Sequence, residues 1–78
     1  METIYVLVKV DGGSLEDVIS RIRSLDGVVE VRAVTGTYDI IAKVEGEHLP
    51  GLLARVVREI RKIDRISATE TLVGVDID

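Results

Sequence analysis

The residues of this 78-residue chain best suited to chemistry lie in VTGTYDIIAKV, residues 34–44, two apolar stretches hinged on Gly36, Thr37, Tyr38 and Asp39. Asp39 offers a carboxylate that can accept hydrogen bonds from an ammonium group. Tyr38 offers a ring with a polar tip, and the N–H groups of the turn can bind a carboxylate. Gly36 can adopt a positive φ and leave room for another molecule near the main chain. Loop ends of rigid sheets are where ligands are usually received. The same residues also make an ordinary turn, since Gly, Thr and Asp are common turn formers and a tyrosine at a strand edge usually packs. Taken alone, the hinge favours that plain reading.

Other reactive side chains point away from catalysis. Ser14 is placed as a helix cap and His48 at the start of a different helix, with no third member to complete a nucleophilic arrangement. Glu45 and Glu47 flank Gly46 without a histidine partner and read as solvated. The chain has no cysteine, which excludes disulfides, thiolate nucleophiles and cysteine-ligated metal centres. One histidine cannot build a metal site, so no metal, cofactor or catalytic residue is expected. Arg55, Arg58, Arg61, Lys62 and Arg65 gather on and after the second helix. Cations near a helix C-terminus gain roughly 0.3–1 kcal/mol each from the macrodipole, so a solvated face is the simpler reading and a docking surface for an acidic partner the sharper one. The Asp76-Ile77-Asp78 tail offers weak cation binding at most.

The net charge of -4 and pI near 4.9 oppose tight binding to a phosphate backbone, so direct contact with nucleic acid is not expected. No apolar run approaches the roughly 20 residues of a membrane span, and the N-terminus lacks a signal-like segment. The chain reads as cytoplasmic and as a single domain over 1–78. A domain of this size hides only about 60% of its unfolded surface, which favours self-association. Absence of Asn and Gln together with 31% charged residues leans toward a thermophilic source.

The elements that must position the hinge follow from periodicity. TIYVLVKV, residues 3–10, is apolar or β-branched at nearly every position, as in a central strand covered on both faces. After Asp11-Gly12-Gly13, Ser14 and Asp17 have capping-box spacing, and Leu15, Val18, Ile19, Ile22 and Leu25 form the stripe of a first helix that stops at Gly27. Residues 28–35 and 40–44 read as strands joined by the hinge. Pro50 opens a second helix, striped by Leu49, Leu52, Leu53, Val56, Ile60 and Ile63. A last strand, 66–75, alternates in part, with Ser67, Thr69, Thr71 and Val73 on one side and Ile66, Ala68, Glu70 and Leu72 on the other.

The halves repeat. LDGVVEVRAVTG from Leu25 aligns without gaps on IDRISATETLVG from Ile63, an offset of 63 − 25 = 38 residues. A duplicated unit with right-handed crossovers gives an α+β, ferredoxin-like βαββαβ sandwich: a four-stranded antiparallel sheet in order 4-1-3-2 with both helices on one face. The other face is expected to carry Tyr5, Leu7, Ile41 and Val73. So large an apolar patch predicts two sheets meeting in a symmetric dimer, with the hinge at the edge of the shared surface.

With VTGTYDIIAKV as a Val-x-Gly-x-Tyr-Asp hairpin and ISATETLV as a last strand with alternating threonines, essentially the whole chain resembles the effector-sensing RAM domain of the leucine-responsive regulatory protein/AsnC family of transcription regulators. It resembles the stand-alone form of that module, since the helix-turn-helix of the full regulators is missing from the sequence. The resemblance implies sheet-paired dimers that assemble further, octamers included. It also implies small amino acids or related metabolites bound in clefts between subunits. Gly36, Thr37, Tyr38 and Asp39 would then form the hinge side of a pocket faced by Thr69 and Thr71 of a neighbouring last strand. Main-chain N–H groups and threonine hydroxyls would take the ligand carboxylate and Asp39 its ammonium. Thr37 stands where many relatives carry a charged or polar residue of another kind, which bears on side-chain selectivity.

The expectation is a non-catalytic, ligand-responsive oligomeric module that co-assembles with full-length regulators of the family or buffers the effector. Small dimeric α+β barrel enzymes of oxygenase or isomerase type, and ACT-like regulatory domains, are the alternatives. The first would require an inward-facing polar cluster, whereas the helix stripes and facing strand positions here are apolar.

Overall fold

In the computed structural model, which describes residues 1–13 and 15–77, the order βαββαβ is realised as β1 (Glu2–Val10), α1 (Leu15–Arg23), β2 (Val28–Ala33), β3 (Ile40–Gly46), α2 (residues 49–61) and β4 (Ile66–Val73). The strands form one antiparallel sheet in order β2-β3-β1-β4, the expected 4-1-3-2 arrangement read from the other edge. The capping box at Ser14 lies outside the described residues.

Alternation sorts the sheet residues. Ile4, Val6 and Val8 of β1, Val31 of β2 and Ile40, Ala42 and Val44 of β3 are buried beneath the helices. Val18 and Ile22 of α1 and Leu52, Val56 and Ile60 of α2 close over them, with Leu15, Ile19 and Leu25 packed at the margin. Every buried residue in this layer is apolar, so burial proceeds without a polar desolvation cost.

Helix α2 departs from the simple stripe. Residues Leu52–Val56 form a π-helical turn, in which the Val57 N–H bonds to the Leu52 carbonyl, between α-helical turns Leu49–Gly51 and Val57–Arg61. The wider turn absorbs one extra residue, so Leu52, Val56 and Ile60 stay on the core while Leu53 turns outward to 38% exposure.

The internal repeat is visible in the backbone. Gly27 (φ 93°) and Arg65 (φ 77°) stand 38 residues apart and both take the left-handed conformation that ends a helix. Ser24 and Leu25 N–H bond to the Arg21 and Ile22 carbonyls, as Lys62 and Ile63 N–H bond to those of Glu59 and Ile60. Two residues after each left-handed position the strand bulges, at Val29 against β3 and at Ser67 against β1.

The bulge at Ser67 corrects one expectation. Beyond it Ala68, Glu70 and Leu72 pair with Lys9, Leu7 and Tyr5, while Thr69, Thr71 and Val73 pair with Val8, Val6 and Ile4. Directly paired residues share a face. Val73 therefore lies on the helix side, and Leu72, 43% exposed, takes its place on the bare face. Ile66, paired with Val10, packs against the core instead of facing away from it.

Candidate functional site

The bare face has an apolar centre and a charged border. Tyr5, Leu7 and Ile41 are half-buried even in a single chain, and Leu72 lies beside Tyr5 across the β1–β4 ladder. Arg32 pairs with Glu30 on β2, and Lys43 lies 3.6 Å from Glu45 on β3. An apolar stripe framed by charges is the pattern of a surface that receives another protein surface.

The hinge closes at the end of this face. The Val34 N–H bonds to the Asp39 carbonyl at 2.9 Å, and the Asp39 N–H bonds to the Val8 carbonyl at 2.9 Å, so the connection is tied both to itself and to β1. Gly36 sits at φ 120°, which L side chains rarely adopt, although a Cβ there would meet nothing within 4 Å. The glycine answers to backbone conformation, not to crowding within the chain.

Asp39 has a partner that the sequence did not reveal. Its Oδ2 accepts a hydrogen bond from the Val10 N–H at 2.8 Å, across 29 residues of chain. The β1–β3 ladder ends at Val8 and Ile40, and the carboxylate takes over beyond that point, satisfying a main-chain donor that would otherwise lack a sheet partner. The group expected to receive an ammonium thus holds the hinge against β1.

Tyr38 is also committed. Its hydroxyl donates to Glu70 Oε1 at 3.0 Å, carrying the side chain from the hinge across β1 to β4 on the bare face. The bond to Glu70, then partial burial, then the charge of that carboxylate raise the Tyr38 pKa above its ordinary 10.0. Beside it the Lys9 ammonium donates to the Thr37 carbonyl at 3.2 Å. Lys9 and Glu70 were absent from the expected site. Both occupy ordinary strand positions, and no local spacing joins them to residues 34–39.

Within one chain Thr69 and Thr71 do not meet the hinge. They lie half-buried on the helix side of edge strand β4, whereas Tyr38 and Glu70 meet on the bare side. Elsewhere, an open groove of about 560 Å³ runs along α2 between Glu45, His48, Leu52, Arg55, Arg58 and Lys62. Arg55, Arg58, Arg61, Lys62 and Arg65 are all exposed, and Lys62 lies 3.3 Å from Glu59. Among the described residues no group of three or more His, Asp or Glu side chains is placed to hold a metal ion. No described helix is long and apolar enough to cross a membrane.

The fold and the hinge together define a small α+β domain, a duplicated ferredoxin-like sandwich with a Gly-x-Tyr-Asp hinge beside a bare apolar face. Residues 3–76 match the family model of the Lrp/AsnC ligand binding domain, and the chain belongs to that family. It is 38% identical over 60 residues to the regulatory protein AsnC of Haemophilus influenzae, an alignment covering 77% of this chain and 40% of that protein. The chain spans half or less of the length of the curated relatives it matches. A solved structure from Thermus thermophilus superposes with a TM-score of 0.90 at 31% identity, covering 100% of this chain and 98% of the other. A transcriptional regulator of Neisseria meningitidis, solved as its L-Met complex, superposes with a TM-score of 0.83 at 13% identity. That match covers 96% of this chain and 50% of the regulator and is a likeness of fold.

Proposed function

We propose that this domain is a non-catalytic sensor that pairs through its bare sheet face and binds a small amino acid or related metabolite in the crevice between subunits. Ligand shifts the balance between assemblies by binding one of them better. The observation that carries this reading is the placement of the hinge: Gly36 to Asp39 is fixed at the edge of an apolar stripe, Tyr5, Leu7, Ile41 and Leu72, that one chain leaves uncovered. A second sheet laid on that stripe turns the hinge into one wall of a crevice. Thr69 and Thr71, on the helix side of edge strand β4, face away from such a crevice in both copies and meet a hinge only through contact with a further subunit. The Neisseria regulator of the same fold binds L-Met, which agrees with an amino-acid effector.

The apolar filling between sheet and helices supports sensing over the barrel-enzyme alternative, which would use that space as a polar cavity. Pairing with longer regulators of the family is the proposed route from effector to transcription.

A thermal-shift screen of the twenty amino acids, with sedimentation of the hits, tests the reading. A ligand at 100 times its Kd adds about 2.7 kcal/mol of stability. The expected result is one or a few amino acids that raise Tm and alter the sedimenting mass. A chain that sediments as lone subunits at micromolar concentration and responds to none of the twenty overturns it.

A further inference from the structure

At the hinge end of the bare face, two opposite charges stand near one another without neutralising one another. Lys9 pairs with Ala68 and Leu7 with Glu70, so Lys9 and Glu70 share a face at diagonal positions, within reach of long side chains. No ion pair joins them, and among the described residues neither takes part in any ion pair. Both are held in place: the Glu70 carboxylate accepts from the Tyr38 hydroxyl at 3.0 Å, and the Lys9 ammonium donates to the Thr37 carbonyl at 3.2 Å. The remaining carboxylate of the corner, Asp39, is occupied through Oδ2 by the Val10 N–H.

In a lone chain both charges keep their water. Once a second sheet covers the stripe, they lie at the margin of a closed surface, where a desolvated charge without a partner is costly. An α-amino acid carries both missing counter-charges in one small molecule. We propose that Glu70 receives the ammonium and Lys9 the carboxylate of an amino-acid effector, with Tyr38 positioning Glu70 and Asp39 positioning the hinge. This inference rests on the interface reading above and gives it a recognition chemistry, because a site built on Glu70 and Lys9 selects the zwitterion itself.

The rival is that these charges pair across the interface with charges of the second copy. The two possibilities separate experimentally. The amino acid giving the largest shift with the unaltered chain is titrated against Glu70→Gln and Lys9→Met, beside its N-acetyl and C-amide derivatives, with sedimentation of each variant. The expected results are affinity at least about tenfold weaker for each variant, as for loss of a charged hydrogen-bond partner, and unchanged sedimenting mass. Glu70→Gln should also no longer discriminate against the N-acetyl form, nor Lys9→Met against the amide.

Undiminished affinity and discrimination in the variants overturn the assignment while leaving the interface site standing. A loss of mass without a change in discrimination overturns it in favour of cross-subunit pairing. Failure of all twenty amino acids on the unaltered chain removes the interface reading and this inference with it.

Discussion

Replacing Asp39 by alanine separates a carboxylate that holds the hinge from one that holds a ligand. The side chain accepts a 2.8 Å hydrogen bond from the Val10 N–H, in a half-buried position where no ladder partner continues. Hydrogen bonds to charged groups contribute about 1.5–3 kcal/mol, and partial solvent access places this one in the lower half of that range, about 1.5–2 kcal/mol. The main-chain bonds of residue 39 to Val34 and Val8 survive the substitution, so the loss is that of one acceptor. For a domain of this size each kcal/mol moves Tm by about 4–8 °C, which makes the expected drop about 6–16 °C. Asp39→Asn keeps an acceptor oxygen and should recover part of that drop. Thermal unfolding at one fixed protein concentration is the assay, since self-association makes Tm concentration-dependent. An Asp39→Ala protein that melts with the unaltered chain, yet no longer responds to amino acids, would refute the positioning role and return the carboxylate to the ligand.

The duplicated helix ends should respond oppositely to substitution. Arg65→Gly relieves a left-handed conformation that costs a non-glycine residue about 1–2 kcal/mol and should raise the urea midpoint. Gly27→Ala, at φ 93° and with its Cβ placed 3.3 Å from the Glu45 carbonyl, should lower the midpoint, with a loss of stability of at least about 1 kcal/mol. On the bare face, Leu7→Glu places a charge in the centre of the apolar stripe. It should leave lone, folded subunits in sedimentation and circular dichroism, and retention of a dimer would argue that the faces do not meet. The Tyr38–Glu70 bond predicts a pH effect with a definite sign. The folded-state pKa lies above 10.0, so this contribution is intact below pH 10.0 and is lost as pH rises through the raised value. Unfolding curves of the unaltered chain should therefore lose stability more steeply than those of Tyr38→Phe in that alkaline range.

Local periodicity made most of the fold legible. The apolar run of residues 3–10 marked the central strand, the stripe through Val18 and Ile22 marked the buried face of α1, and Pro50 marked the start of α2. The 38-residue offset anticipated a shared helix ending that the backbone displays at Gly27 and Arg65. Periodicity read less well where an element changed its count. The π-helical turn pushed Leu53 off the stripe, and the bulge at Ser67 carried Ile66 onto the core side. Strand β4 is mixed on both sides, so alternation grouped Thr69, Thr71 and Val73 correctly but could not say which face they share.

At the site, residue type identified the hinge but not its wiring. The bonds that define the corner run from Asp39 to Val10, from Tyr38 to Glu70 and from Thr37 to Lys9, across 29, 32 and 28 residues. The sequence by itself determined the order of elements, the repeated halves and the existence of a second sheet face with an apolar centre, because those depend on the character and spacing of near neighbours. Which carboxylate is tied to the backbone and which is left with an unmatched charge was decided only in the folded sheet. Strand register and the end of a ladder are settled by packing among distant segments, and no local pattern encodes them.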